Sequence, residues 1–310
     1  MGTPMLKPVL RRLGSGAVVL WAAASAAYLA LRLAPGDTVD TLVGDGPDTP
    51  QIRAQIARDL GLDRPAVVQY LDYLWRLLHG DLGRSYVLQR PVVDVIGSQI
   101  WPTVKLTLLA TAFSAVIAVG LAIVTAGRAR WLRGLVSGVE LSIVSAPGFL
   151  IGILLLSVFS FQLGWFPVSG DRDASALVLP AVALALPIGG LLSQVIREGL
   201  ERALDEPFAV TARARGLTRL ALLWRHALRH ALLPAVTLAG TLIGFLLSAA
   251  VVVERVFGRP GLGEVATEAV SNKDIPVVLA VVMLAAAIYV VLSTVADLAY
   301  LLVDPRLRKG

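Results

Sequence analysis

Between Glu206 and Pro234 the chain reads EPFAVTARARGLTRLALLWRHALRHALLP, its densest run of polar chemistry: Arg213, Arg215, Arg219, Arg225 and Arg229, with His226 and His230 among them. Guanidinium groups bind carboxylates and phosphates through paired donors. The two histidines are four apart and share a helix face, the geometry of a metal pair. They lack the glutamate of a His-Glu-x-x-His motif and stand beside arginines, so a solvated basic face is the favoured reading. No bond-breaking chemistry is legible elsewhere. None of Lys7, Lys105, Lys273 and Lys309 follows a glycine, as the lysine of a nucleotide-hydrolysing loop does, and no serine stands in a Gly-x-Ser-x-Gly turn. His79 is solitary, and the absence of cysteine removes disulfides and thiolate metal sites. The expectation is a non-catalytic chain with no catalytic residue, bound cofactor or metal of its own.

Local signals divide the basic stretch into two helices. Asp205 can cap a short first one with Pro207 in its opening turn, and Gly216 falls where a left-handed residue would end it. Thr218 can cap a second, whose Leu220, Leu223, Trp224, Ala227 and Ala231 make an apolar stripe opposite Arg225, His226 and Arg229. Such a knob either lies on anionic headgroups or meets a water-soluble partner.

The elements that carry this knob are apolar. Six runs reach the ~20 residues that cross a bilayer as helix: Leu13 to Leu33, Thr103 to Ala126, Leu135 to Phe161, Val178 to Ile196, Ala231 to Val253 and Val277 to Leu302. The first is too long for a cleaved signal-peptide core and reads as a retained span. Pro147-Gly148 interrupts the third run, and Pro180 and Pro187 the fourth. Such breaks suit helices that line a passage, and equally suit simple kinks.

Charge sorts by loop. The net of +6 would suggest nucleic acid in a soluble chain, but with the N-terminus inside, 16 of the 28 Lys and Arg fall on the inner side with only 7 of the 22 acids. Lys7, Arg11 and Arg12, the Gly127–Arg133 connection, the basic knob and the C-terminal tail all contribute. That bias places both termini in the cytoplasm and makes anionic lipid, not nucleic acid, the counterpart of the excess charge.

The outer segment from Asp37 to Pro102 is patterned. Thr49-Pro50 opens a helix with Ile52, Ile56 and Leu60 on one face, stopped by Gly61; a second runs from Asp63 with Val67, Leu71, Leu74, Trp75 and Leu78 inward, stopped by Gly80. Both are expected to pack on the outer mouth of the bundle.

Thr211-Ala-Arg-Ala-Arg-Gly-Leu217, followed by Arg225-His-Ala-Leu-Arg-His-Ala-Leu-Leu-Pro234, resembles the coupling loop of binding-protein-dependent ABC importer permeases, in the form found in the dipeptide and oligopeptide family. The wider superfamily opens this loop with Glu-Ala-Ala; Val210-Thr211-Ala212 stands there in this chain, and the distance to Leu233-Pro234 is longer than in sugar-type permeases. Leu60-Gly-Leu-Asp-Arg-Pro65, Gln69-Tyr-Leu71 and His79-Gly-Asp-Leu-Gly-Arg-Ser-Tyr86 with Pro91-Val92 are similar to the outer loop of the first of the two permease subunits. Val253-Glu-Arg-Val-Phe-Gly-Arg-Pro-Gly-Leu-Gly-Glu264 resembles the family's stretch at the outer end of the fifth span, and Asp304-Pro-Arg-Leu-Arg308 its tail.

The resemblance implies an all-α integral membrane protein with six transmembrane helices of the type I ABC importer kind and an outer helical loop between spans 1 and 2. Residues 1-34 would hold the N-terminal tail and first span, 35-102 the extracytoplasmic loop, and 103-310 a five-helix core with the coupling loop at 205-234. It implies a homologous second permease, two cytoplasmic ATPase subunits that hydrolyse the ATP, and an extracytoplasmic binding protein, in a bacterial cytoplasmic (inner) membrane. Carried over to this chain, coupling falls on Thr211, Ala212, Arg213, Ala214, Arg215, Gly216, Leu217 and Pro234, with the small residues making the tight turn and Arg213 and Arg215 meeting the ATPase. The outer motifs fall on Gly80, Asp81, Gly83, Glu254, Pro260, Gly261 and Gly263. Di- or oligopeptides are the implied cargo, with nickel, glutathione or haem as alternatives in the same role. An ion-coupled secondary transporter is the competing class; its ionisable candidates, Glu140 and Asp297, lie near the cytoplasmic ends of their spans.

Overall fold

In the computed structural model, residues 6–33, 38–43, 49–171 and 173–303 are described. They are helical throughout apart from loops and one isolated bridge, Arg84 to Pro91. In chain order the helices are α1 (Leu6–Leu33), α2 (Thr38–Val43), α3 (Pro50–Asp59), α4 (Ala66–Leu78), α5 (Val92–Thr125), α6 (Arg130–Ser145), α7 (Gly148–Leu155), α8 (Val178–Asp205), α9 (Pro207–Ala214), α10 (Arg219–Leu222), α11 (Leu228–Val256), α12 (Leu262–Ser271) and α13 (Ile275–Val303). Three are long and apolar enough to cross a membrane unbroken, and up to five spans result if each of two bent pairs counts as one; the described side chains of α13 add a shorter apolar stretch, Ile275–Val291. The Asp304–Arg308 tail and the side chains of Lys7, Arg11, Arg12 and Asp297 lie outside the described residues.

Several boundaries differ from the apolar runs. The second span begins at Val92, with Pro102 carried inside the helix. The third run is two helices that meet at 106°, too sharp for a simple kink. Ala146 explains the break: proline disfavours helical backbone in the residue before it, and Ala146 is extended (φ −76°, ψ 138°). A π-helical turn, Leu156–Gln162, follows α7.

The chain divides into two compact units. The first combines the described residues up to Trp101 with Gly261–Val291. Its core holds Val92, Ile96, Leu262, Ala269, Val277 and Val278. Against α1, Ser25 shares a 2.6 Å hydrogen bond with Tyr70, Tyr28 donates to the Ala66 carbonyl at 3.0 Å, and Tyr28 and Tyr73 stack. Thr49 caps α3 through Ile52, and Gly61 and Gly80 take left-handed conformations after α3 and α4, as the sequence suggests. The inward face expected of α4 is corrected. Tyr70 and Tyr73 pack on α1, while Val67, Leu71, Trp75 and Leu78 are 57–82% exposed, because a tyrosine face that stacks on Tyr28 and pairs the Tyr70 hydroxyl with Ser25 outcompetes the purely apolar one.

The second unit takes the described residues of Pro102–Pro260 and those from Leu292 to Val303. Here α8 is central: Leu184, Ile188, Leu192, Ile196 and Leu200 are buried at helical spacing. Gly199 lets α11 come so close that a Cβ there would lie 2.8 Å from the Ala231 Cα. Outward-facing Val116, Phe161 and Phe245 stay exposed, as expected of a lipid-facing surface.

Candidate coupling site

The knob begins where α8 ends. Glu206 is extended (φ −71°, ψ 151°) ahead of Pro207 and serves as the N-cap of α9, so Asp205 closes α8 and does not cap α9 as the sequence suggested. Proline again sets the boundary. The end of α9 is a Schellman turn: Gly216 is left-handed (φ 81°), its N–H donates to the Arg213 carbonyl at 2.9 Å and the Leu217 N–H to the Ala212 carbonyl at 3.1 Å. Nothing lies within 4 Å of where a Gly216 Cβ would sit, so backbone conformation alone demands glycine there. Thr211 Oγ1 donates back to the Pro207 carbonyl, and Ala209 is fully buried beneath the turn.

Thr218 caps α10 by accepting from the Ala221 N–H. A π-helical turn, Leu223–Ala227, then links α10 to α11. The extra residue per turn rotates the stripe: Leu222, Leu223, Ala227, Leu228 and Ala231 are buried, while Leu220 and Trp224, expected inward, are 57% and 55% exposed. Pro234 lies inside α11 and is itself exposed. Phe208 packs on the core and meets the His230 ring at 5.6 Å, and His230 Nε2 accepts from Arg229 Nε at 3.2 Å.

The arginines differ in what they do. Arg213 donates to the Leu204 carbonyl at 2.7 Å, stapling α9 to the end of α8. Arg215 is exposed at the turn with no ion pair among the described residues. The Arg219 Nε and Nη2 are shut from solvent without a hydrogen-bond partner and lie against Gly127, whose left-handed turn (φ 65°) passes underneath. Burial, and then the neighbouring Arg128, holds the Arg219 guanidinium below its ordinary pKa. Val210, Leu220 and Trp224 are each exposed on the knob, which also carries the exposed Arg215 and Arg225. Exposed aromatic and apolar side chains together with arginine are a protein-docking composition.

The remaining motif residues are structural. Gly80 and Gly83 are left-handed, and Asp81 Oδ1 accepts from the Gly83 N–H at 2.8 Å. The turn that follows is gripped by Asp274, which accepts from the Ser85 hydroxyl and from the Tyr86 and Val87 N–H groups. Glu254 is buried and accepts from Thr103 Oγ1 at 2.6 Å. Pro260 precedes Gly261, the extended N-cap of α12, and Gly263 is buried in that helix. Asp274 carried no sequence signal, and Arg259 was not singled out within the Val253–Glu264 stretch; Arg259 is buried and donates to Asp171 and to the Gly170 and Ala176 carbonyls. Glu140, the ion-coupling candidate, is spoken for: Arg197 binds both its oxygens at 2.7 and 3.2 Å, and Ser193 donates to it at 2.7 Å.

Comparison with known proteins bears on the family of the chain. Residues 117–309 match the family described as binding-protein-dependent transport system inner membrane component, and residues 5–107 match the N-terminal region of such membrane components. A protein of Brucella abortus, provisionally named a peptide transport system permease, is 34% identical over 309 residues, covering 97% of this chain and 98% of its own. The glutathione transport system permease GsiC of Escherichia coli is 33% identical over 305 residues, covering 98% and 99%. Among solved structures, an inward-facing MetNI methionine ABC transporter is similar with a TM-score of 0.53 at 20% identity, over 67% of this chain and 95% of that one. Membership of such a family entails separate ATPase and binding-protein partners, and an address in a membrane. The chain belongs to the binding-protein-dependent transport system inner membrane component family, the permease subunits of ABC importers.

Proposed function

We propose that this permease moves peptides, or a peptide-like solute such as glutathione, into the cell, and that the α9–α10 knob is where ATPase motion enters it. The relatives named for peptide and glutathione transport match along the whole chain, and the exposure of Val210, Leu220, Trp224 and Arg215 on the knob supports the docking role. In this reading the chain sits in the bacterial cytoplasmic membrane with both termini inside, beside a homologous second permease. Two ATPase subunits hydrolyse the ATP below, and a binding protein delivers cargo from outside to the segment 35-102 and the span ends. The chain itself needs no cofactor and carries out no catalysis. Nickel or haem would use the same role with different delivery.

Gly216→Val tests the coupling assignment. A β-branched residue at φ 81° costs about 1–2 kcal/mol and unwinds the turn that presents Arg215. The expected result is a complex that assembles and hydrolyses ATP while uptake of radiolabelled dipeptide falls at least tenfold; wild-type uptake would remove the turn from the mechanism.

A further inference from the structure

We infer that the cavity at the C-terminal end of α1 is a site for a zwitterionic phospholipid headgroup, with its phosphate on arginines and its ammonium on carboxylates. The cavity is about 520 Å³ and is walled by the last turn of α1, the α3–α4 turn, one face of α4, the 81–86 turn and the first turn of α13. Arg32, Arg58, Arg64, Arg76 and Arg84 line it, against Asp59, Asp72 and Asp81. Arg64 is held by Asp72 at 2.9 Å and Arg84 by the Gln89 carbonyl, whereas Arg32, Arg58 and Arg76 make no side-chain ion pair or hydrogen bond among the described residues. The Tyr73 hydroxyl, also on the wall, is closed off from solvent with no hydrogen-bond partner. A buried hydroxyl left unpaired is costly, and a phosphate oxygen would satisfy it together with the guanidinium groups.

The location selects lipid. The cavity lies against Leu31 and Arg32 in the last turn of α1, at headgroup depth for a span that ends at Leu33, whereas Tyr70 reaches Ser25 eight residues or roughly 12 Å deeper, so part of α4 lies within the acyl region. Its exposed Val67, Leu71, Trp75 and Leu78 then meet the acyl boundary, as in an interfacial helix. Leu31, Ile275 and Leu279 give the cavity an apolar side for the chains of the lipid. A peptide offers the same pair of end charges without those chains. The assignment to the outer leaflet rests on the orientation proposed above.

The whole transport complex, reconstituted in bilayers of phosphatidylethanolamine and phosphatidylglycerol, is released into the gas phase for native mass spectrometry. Wild type is expected to keep one more phosphatidylethanolamine than Arg32→Gln/Arg58→Gln/Arg76→Gln, with Arg90→Gln matching wild type and millimolar dialanine displacing nothing. Equal lipid counts, equal retention of phosphatidylglycerol, or stoichiometric displacement by the dipeptide would overturn the site. The chain has no cysteine, so Leu88→Cys supplies a single thiol next to the site. Labelling from outside together with unchanged lipid counts removes the lipid site alone; labelling only from inside removes the orientation and the leaflet assignment with it.

Discussion

Replacing Arg197 with alanine strands a carboxylate. Glu140 is 2% exposed and Arg197 6%; the guanidinium also donates to Ser137 at 3.0 Å and Thr125 at 3.3 Å, so one side chain ties α6, α5 and α8 together. Removing one partner of a buried pair costs about 3–5 kcal/mol, because the survivor keeps its desolvation penalty without the attraction that offset it. At roughly 2–4 °C per kcal/mol, the midpoint for thermal unfolding of the purified complex should fall by roughly 6–20 °C. Glu140→Gln retains the Ser193 bond and should cost less. The decisive variant is the pair Glu140→Leu with Arg197→Met, which removes both charges at similar volume and is expected to lie within about 1 kcal/mol of wild type or above it. Thermal scans of all four proteins in one lipid give the comparison. A double variant as unstable as Arg197→Ala would refute the reasoning, since the network would then contribute net stability and not merely avoid an unpaired charge. Retained uptake in the double variant would further remove Glu140 from any proton or sodium pathway.

Three other perturbations are expected to read out equally directly. Gly199→Ala puts a methyl 2.9 Å from the Ala231 Cβ and 2.8 Å from its Cα, so it should destabilise by about 1–3 kcal/mol, and Ala231→Gly should restore only part of that in the same thermal scan. Asp274→Ala removes the acceptor for one hydroxyl and two N–H groups, and limited proteolysis should then nick the 84–90 turn that resists in wild type. Burial, and secondly Tyr70, push the Tyr73 phenol up to about 12 from 10.0. The folded state therefore holds a proton the unfolded chain has lost, and stability contributed by the neutral phenol should decline as pH rises from about 10 to 12; Tyr73→Phe should flatten that decline in a pH series of melting curves.

What could be read from the residues was local. Thr49, Thr218, Pro207, Gly61, Gly80 and Gly216 each act on the backbone within a turn, and each sits where its chemistry demands. Apolar length gave the spans, because lipid imposes it over a whole helix. The misreadings came from competition that periodicity does not contain. Leu220 and Trp224 face outward because one π turn shifts the register, and α4 turns its tyrosines toward α1 because Ser25 there pairs with Tyr70 while Tyr28 of α1 donates to the Ala66 carbonyl of α4. Arg197 and Asp274 were invisible for another reason: their partners are 57 and up to 189 positions away, and nothing in the neighbouring residues marks them. Of the coupling residues, the turn was legible, whereas the division of labour between a stapled Arg213 and an open Arg215 needed coordinates.

The Arg213 staple changes what a push on the knob can do. The one-residue connection at Glu206 would by itself swivel, absorbing displacement as rotation of α9. With the guanidinium clipped onto the Leu204 carbonyl, the joint is stiffened and the load passes axially into α8, a strut of 28 residues, roughly 42 Å long. Its one compliant point is Pro187, where a ladder bond is missing. In the proposed coupling, the lower arm of the strut, from Ile188 to the clip, would act as a crank with its throw delivered at the proline.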